Sequence, residues 1–507
     1  MQWTDSVVSI IIPHALDTKR ILHCPVARRA AHAVCVHMKK ENMGIRLKDL
    51  SKLGYRDNVA RSLAVAIVGK HCKHQSKEQI IKTLSDVLEN PDTYKENETW
   101  GKLAEHLSPT LIEKKFTAYD LLDEPLPYKT YGGKFIETLA KQQMNLAMRL
   151  PVSVAGALMP DAHGGKGMPI GGVLATKGVV IPNAVGVDIG CGMCAVKTNL
   201  LVEEIPQDVL RKEIMRGIRK QIPLGREHHK AAQDEQYMPT GFDTEKMTVV
   251  NRQLVSARKQ IGTLGGGNHF IELQRCNDGY LWIMQHSGSR NLGKMVGDYY
   301  NQMAETLNTR WYSSVKPDIK LAFLPLRAPE FKQYWAEMEY CVAFALANRK
   351  LMMERIEEII AEALPNATFE PMINIAHNYA AWEEHFGENV IVHRKGAVHA
   401  GIGEIGIIPG SQGTHSYIVE GLGNPESFLS SSHGAGRAMS RSEAVRSLSL
   451  EEEIARLESQ NIIHAIRGRQ DLEEAAGAYK NIDEVMANQA DLVRILTTLS
   501  PIAVIKG

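Results

Sequence analysis

Seven residues, Gly186-Val-Asp-Ile-Gly-Cys-Gly192, constrain this chain more than any other stretch. They set a carboxylate, Asp188, and a thiol, Cys191, three positions apart inside a run of glycines. Glycine lets the backbone turn sharply there, so a hard and a soft donor can face one metal ion. A lone cysteine is ordinarily a small apolar packing residue. What lifts Cys191 above that reading is the rest of the chain. Asn268-His269, His286 and His377-Asn378 each follow or end an apolar, strand-like run, and His433 opens a second glycine-rich run, His-Gly-Ala-Gly-Arg437. The fold is expected to bring these distant pieces to Cys191.

At 507 residues the chain exceeds one ordinary core, so two or more domains, or one large domain with an appendage, are expected. With 44% hydrophobic and 23% charged residues it reads as globular, and a net charge of +1 means that any nucleic-acid surface must be local. Seven thinly spread cysteines suit a reducing compartment. The apolar run Val7 to Ile12 is too short, and lacks the basic start, for a secretory signal, and no stretch has the length of a spanning helix. The expected location is cytoplasmic, away from membranes.

Residues 1–118 read as a small, mainly helical, basic module. Ala30 to Met43, Val59 to His71 and Lys77 to Leu88 carry helical spacing, punctuated by Gly44, Gly54 and Pro91. Over residues 1–115, 19 basic side chains face 13 acidic ones, an excess suited to RNA phosphates or simply to a solvated surface. His71-Cys-Lys-His74 has no partner pair at zinc-like spacing and reads as a helix end. A linker, Thr117 to Pro127, leads into residues 119–507, read as a single α+β domain. Its elements begin with an amphipathic helix over Gly133–Leu150, with Phe135, Ile136, Leu139, Leu146 and Leu150 on one face. Strands are expected over Val173–Ile181, Cys194–Leu200, His269–Leu273, Leu281–Gln285, Met372–Ala376, Val390–Val392, Ile405–Ile408, Ser416–Glu420 and Pro501–Gly507. Helices are expected over Pro206–Lys220, Asn251–Ile261, Asn291–Leu307, Pro329–Leu364, Ser442–Glu458 and Asp483–Leu499.

Asp188, Cys191, His269, His286 and His377 offer one carboxylate, one thiolate and three imidazoles, a mixed set suited to manganese, with zinc as competitor. Three glycine-rich stretches, Gly262–Gly267, Pro409–Gly413 and His433–Gly436, can present backbone N–H groups to phosphate. Arg290, Arg437 and Arg441 add planar forks that match phosphate oxygens. His433, between three serines and a glycine, is expected to be an exposed nucleophilic imidazole. Cys191-Gly-Met-Cys194 lacks the setting of a redox pair. Arg226-Glu-His-His-Lys230 reads as a solvated turn or a substrate-facing loop.

In family order, Pro160-Asp-Ala-His-Gly-Gly-Lys-Gly167, Val185–Gly192, Gly262–His269, His286-Ser-Gly-Ser-Arg290, His377-Asn378, His393-Arg-Lys-Gly396, His433–Arg437 and Val504-Ile-Lys-Gly507 resemble the RtcB family of RNA ligases. The resemblance covers about 120–507 and implies a large mixed catalytic core. It also implies a GTP- and manganese-dependent ligase, joining RNA 2′,3′-cyclic phosphate or 3′-phosphate ends to 5′-hydroxyl ends in tRNA splicing or RNA repair. By that resemblance Asp188, Cys191 and His269 hold one manganese ion, and Cys191, His286 and His377 hold a second. His433 takes up GMP and passes it to the RNA 3′-phosphate. The guanine nucleotide is contacted by Asn268, His269, Phe270, Ile271 and Glu272; by His377 and Asn378; by Pro409, Gly410, Ser411, Gln412 and Ser416; by His433, Gly434, Ala435 and Gly436; and by Tyr479 and Lys506. Arg290, Arg437 and Arg441 are expected to grip RNA phosphates or the polyphosphate.

Two departures stand out: Ser432 where the family often has cysteine, and Gln412 where methionine is common. Neither removes a ligand or the nucleophile. The segment 1–118 has no counterpart in that pattern. The competing readings are a non-catalytic RNA-binding paralogue and a metal-dependent phosphodiesterase that processes RNA ends; a complete set of ligands, nucleophile and Lys506 disfavours the first.

Overall fold

The computed structural model describes residues 45–55, 57–108, 120–311 and 313–507. The helix expected over Ala30–Met43, the run Val7–Ile12, the start of the linker and the boundary at 118/119 lie outside them. The chain divides into two compact units, Met1–Leu111 and Ile112–Gly507.

The described part of the first unit is helical, with helices Leu47–Lys52, Asn58–His71, Lys77–Glu89 and Gly101–Leu107. Ser76 caps the third of these by accepting from Gln79 N while Gln79 reaches back to the Ser76 backbone. Leu50, Tyr55, Ala64, Ile80, Leu84 and Leu103 form its core. Cys72 belongs to that core, whereas His71 and His74 are exposed, as a solvated helix end requires.

The second unit is built on two sheets. One has seven strands in the spatial order Ile405–Ile408, Ser416–Gly421, Val493–Lys506, Phe270–Cys276, Tyr280–Ser287, Gly192–Leu201 and Ile373–Ala376. The other has five, in the order Lys129–Thr130, Ser153–His163, Ile170–Thr176, Glu388–Lys395 and Asn378–His385. Every pairing is antiparallel except that of the two-residue first strand. His377 is where the chain leaves the large sheet, and Asn378 is where it enters the smaller one.

A 35-residue helix, Pro329–Ala363, is buried on several faces. It binds the unit together through polar groups as well as apolar ones. Its buried Glu337 accepts from Val249 N (2.9 Å) and Val250 N (2.7 Å), the first amides of helix Thr248–Gln260, and from Tyr300 Oη (2.8 Å). A carboxylate there meets both the orphan N–H groups and the positive end of that helix.

The α+β class holds, but several elements differ from expectation; among them, the strand expected over Val173–Ile181 splits into Ile170–Thr176 and Val179–Val180, and the strand Asn378–His385 was not expected. Asp483–Leu499 is not a helix: a short helix, Ile482–Ala487, gives way to a long strand, Val493–Lys506. Leu492, Ile495, Leu496 and Leu499 mimic helical spacing, yet pairing on both sides with Ser416–Gly421 and Phe270–Cys276 overrides it. Pro501 is accommodated at a register shift in that strand. The helix expected over Gly133–Leu150 shortens to Thr138–Met148 and buries Ala140, Met144, Ala147 and Met148, leaving Phe135 and Leu139 about half exposed. Ser449 interrupts Ser442–Glu458 by capping a second helix, accepting from Glu452 N. The strand Ser153–His163 was not anticipated.

Candidate active site

Antiparallel order sets four strands of the large sheet so that the entry to Phe270–Cys276, the exit of Tyr280–Ser287, the entry to Gly192–Leu201 and the exit of Ile373–Ala376 share one edge. His269, His286, Cys191 and His377 stand at those four ends. Register fixes the arrangement, with Met193 and Phe270 both opposite His286 and Gly192 opposite Ala376. The loop before Gly192 must turn tightly against the long helix. Gly190 has φ +74°, and a side chain there would collide with Val342 and Ala345.

Cys191 Sγ lies 3.4 Å from His269 Nε2 and 3.2 Å from His286 Nε2. His269 Nε2 is 3.2 Å from Asp188 Oδ2, and His286 Nε2 is 3.3 Å from His377 Nε2. All five residues thus converge on Cys191. Their outward atoms are held as well: His286 Nδ1–H donates to Asn268 O (3.1 Å), and His269 Nδ1 lies 3.0 Å from Leu264 O. The His286 Nε2 lone pair is left facing the cluster, as ligation requires. Burial pushes His286 and His377 well below the usual histidine range, so both are neutral. Burial, then the charge of Asp188, pushes the Cys191 thiol far up, so a nearby cation is needed to hold it as thiolate. Burial opposes the charge of Asp188, but His269, Cys191 and Arg290 outweigh it and hold the carboxyl at about 2. A thiol, a carboxylate and three imidazoles gathered this closely, with His377 Nδ1 left without a hydrogen-bond partner, suit a divalent cation.

Two neighbours on the long helix anchor this centre, and sequence reasoning missed both. Arg349, fully buried, donates from Nη1 to Gly190 O (3.0 Å) and Ser287 O (2.8 Å), and from Nε to Asn374 Oδ1 (2.7 Å). Asn348 accepts from Gly262 N and Thr263 N, and its amide donates to Thr263 O, Ser287 Oγ and Gly288 O. Together they tie the three ligand-bearing loops to one rigid helix. Asn378 adds a clamp of its own, donating to Asp188 O and accepting from Gly396 N.

Beside the cluster opens a cleft of about 660 Å³. The His433 ring lies 4.8 Å from that of His377 in an edge-on contact. His433 is not exposed as expected, its side chain being 15% accessible, because it turns onto Asp161. Asp161 Oδ2 accepts from His433 Nδ1 (2.7 Å) and from His433 N (3.2 Å). Burial opposes the charge of Asp161, but His433 outweighs it and keeps the carboxyl below its ordinary value. With Nδ1–H committed to Asp161, Nε2 carries the free lone pair. Asp161 is a third residue that sequence reasoning missed; it stands in the Pro160–Gly167 motif, but nothing local announces its role.

The expected nucleotide contacts divide. Asn268, Phe270, Glu272, His377, Asn378, Pro409 to Gln412, His433 to Gly436, Tyr479 and Lys506 line the cleft. Ile271 points the other way into the core, as strand alternation demands, and His269 faces the cluster rather than the cleft. Ser416 is buried behind, accepting from Gly410 N and Gln274 Nε2. Of the arginines, Arg437 and Arg441 line the cleft, and both donate to Glu474 (3.3 and 2.9 Å). Arg290 lies 3.2 Å from His269 Nδ1 and does not line the cleft. Gln412 donates to Glu474 O, and Ser432 N donates to Gln489. Cys194 faces the core beneath the sheet, where burial raises its thiol to about 12. The Arg226–Lys230 run does not line the cleft; His229 turns onto Gly262 O.

Residues 142–507 match the family model described as tRNA-splicing ligase RtcB. The RNA-splicing ligase RtcB of Escherichia coli strain K12 is 38% identical over 417 residues, covering 77% of this chain and all of that protein. The tRNA-splicing ligase RtcB of Thermococcus kodakarensis is 32% identical over 72% of this chain and 90% of its own length. RNA-splicing ligase RtcB homolog 1 of Entamoeba dispar is 33% identical over 71% and 80% respectively.

Proposed function

The chain belongs to the RtcB family and is an RNA ligase, and we propose that it joins RNA 3′-phosphate or 2′,3′-cyclic phosphate ends to 5′-hydroxyl ends, using GTP and two manganese ions. The observation that carries this reading is the His433–Asp161 pair, set beside the Cys191 cluster in a cleft walled by glycine loops.

Asp161 holds the imidazole by Nδ1, so that Nε2 attacks the α-phosphorus of GTP. The Nε2–P bond forms as the α–β anhydride breaks, and pyrophosphate leaves. An oxygen of the RNA 3′-phosphate then takes the guanylate, restoring the imidazole. The 5′-hydroxyl attacks the 3′-phosphorus and GMP departs. Because the guanylyl acceptor is a phosphate monoester, a cyclic end must first be opened by water. Asp188, Cys191 and His269 would hold one manganese ion and Cys191, His286 and His377 the other; when bound, the ions neutralise triphosphate charge and activate incoming oxygens. Backbone N–H groups of Gly434 to Gly436 receive phosphate oxygens. At Gly436 (φ +72°) any side chain would strike Asp161 O, so glycine is required.

Residues 119–507 form the catalytic domain in this reading, and the basic segment 1–118 adds grip on RNA phosphates. Among the described residues no helix is long and apolar enough to cross a membrane, and five buried cysteines are unpaired, which favours the cytoplasm.

The test is transfer of label from the α-phosphate of GTP to the protein. The wild-type chain with manganese acquires an acid-labile adduct, and His433→Ala acquires none. Label persisting in that variant would show the nucleophile to be elsewhere.

A further inference from the structure

Beyond the wall of the cleft lies a second cavity of about 300 Å³. Ala438 and Tyr479 line both and stand between the two spaces. Phe135 stands at its edge on a single helical turn, Gly133–Phe135, and is 45% exposed. A phenyl ring left half in water beside a reaction cleft forgoes the burial that would ordinarily stabilise it.

The rest of the lining is mixed: Pro160, Ala438 and Val485 are apolar, while Lys480, Asn481, Glu484 and Asn488 bring polar groups. Asn481 accepts from Asp483 N (2.9 Å) through its side-chain oxygen, leaving its amide N–H groups as donors. Asn488 donates to Glu484 O (2.7 Å), leaving its side-chain oxygen as an acceptor, and the Glu484 carboxylate is a further acceptor. Lys480 forms the floor nearest the reaction. Its Nζ donates to Pro160 O (3.1 Å) and Ala162 O (2.7 Å), on either side of Asp161, and its backbone N donates to Gly436 O (3.0 Å). One residue layer therefore separates this cavity from the His433–Asp161 pair.

An aromatic face combined with both donors and acceptors is what an unstacked nucleobase needs, for every base has a π-face and a polar edge. We propose that this cavity seats the terminal nucleobase of the RNA strand bearing the 3′-phosphate, stacked on Phe135. The assignment rests on the guanylylation chemistry proposed above: that strand must bring its phosphate to the guanylate on His433, and its last base then lies within one nucleotide of the reacting atom. The 5′-hydroxyl strand approaches afterwards.

The experiment measures guanylylation of a 3′-phosphorylated oligoribonucleotide, without any 5′-hydroxyl partner, in the full-length protein with GTP and manganese. Two RNAs are compared, one intact and one abasic at its last nucleotide, against wild type, Phe135→Ala and Phe135→Trp. The abasic RNA and the alanine variant should each raise the half-saturating RNA concentration about tenfold, as expected for loss of one base–aromatic stack. Together they should do no worse than either alone, and tryptophan should restore wild-type behaviour. Independent, multiplicative losses would overturn the subsite, as would an alanine variant that saturates like wild type. No guanylylated RNA in the wild-type protein would instead remove the chemistry proposed above, and the subsite with it.

Discussion

The two ends of the cleft solve opposite electrostatic problems. At the Cys191 end, imidazoles, a carboxylate and a thiol converge, and the nearby arginines, Arg290 and Arg349, are turned to His269 and to the loops that carry the cluster. At the nucleotide end the charges are already paired: His433 with Asp161, and Arg437 and Arg441 with Glu474. The first is suited to a cation; the second is preorganised, and in the proposed reading its arginines would turn to arriving phosphate. Activity should therefore fail in separable ways at the two ends.

The sharpest separation should come from Asp161→Asn. An asparagine keeps the shape but not the charge, and it can turn its amide toward His433, selecting the wrong tautomer. Formation of the histidine–guanylate adduct should slow by two or more orders of magnitude, the scale seen when a carboxylate orienting a catalytic histidine is neutralised. Manganese content, measured on the same preparation, should stay at the wild-type level. Parallel loss of metal and adduct would erase the distinction between the two ends.

The converse test is Arg349→Met, with similar length and no donors. Gly190 O and Ser287 O lose their shared partner, and the loops bearing Asp188, Cys191 and His286 loosen. Outer groups of this kind typically set metal affinity by 10- to 100-fold. We expect manganese binding, read by chelator competition, to weaken by up to about a hundredfold, with adduct formation restored at saturating metal. Unchanged affinity in a folded variant would mean that the long helix supports the fold and not the metal centre.

These two residues also mark where the sequence stops being readable. The five candidate ligands were legible because Asp188 and Cys191 lie in a glycine run and the three histidines stand at the ends of apolar, strand-like runs, where a sheet can gather distant residues at one edge. His433 was legible for the same local reason. Asp161 was not, since its partner lies 272 positions away and only the packing of the smaller sheet brings them together. Arg349 and Asn348 sit mid-helix, where polar residues ordinarily face water; their burial follows from a helix packed on several sides. The strand Val493–Lys506 was misread as helix at its start because pairing partners, invisible in a local window, decided its conformation. Lys506 nonetheless reaches the cleft from that strand, as the family pattern implied.

A finer contrast lies within the nucleotide end, between two buried carboxylates near Lys506. Burial opposes the charge of Glu474, but the charge of Lys506, then the Tyr479 hydroxyl and the two arginines, together outweigh it and keep the carboxyl below its ordinary value. Glu272 has only the charge of Lys506 and a hydrogen bond from Gln274 (2.7 Å) to set against its burial, so burial dominates and raises its carboxyl to about 7. Between its ordinary value near 4.5 and about 7, the folded protein holds a proton that the unfolded chain releases. Stability from this site is therefore full below pH 4.5 and is lost as pH rises through 7. Glu272→Gln cannot release that proton, so relative to wild type it should gain about 2 kcal/mol of unfolding free energy between pH 5 and pH 7. Denaturant titrations of both proteins at the two pH values measure that difference. A pH-independent offset would mean that Glu272 is already ionised at pH 5, and that Lys506 pairs with it as strongly as the arginines pair with Glu474.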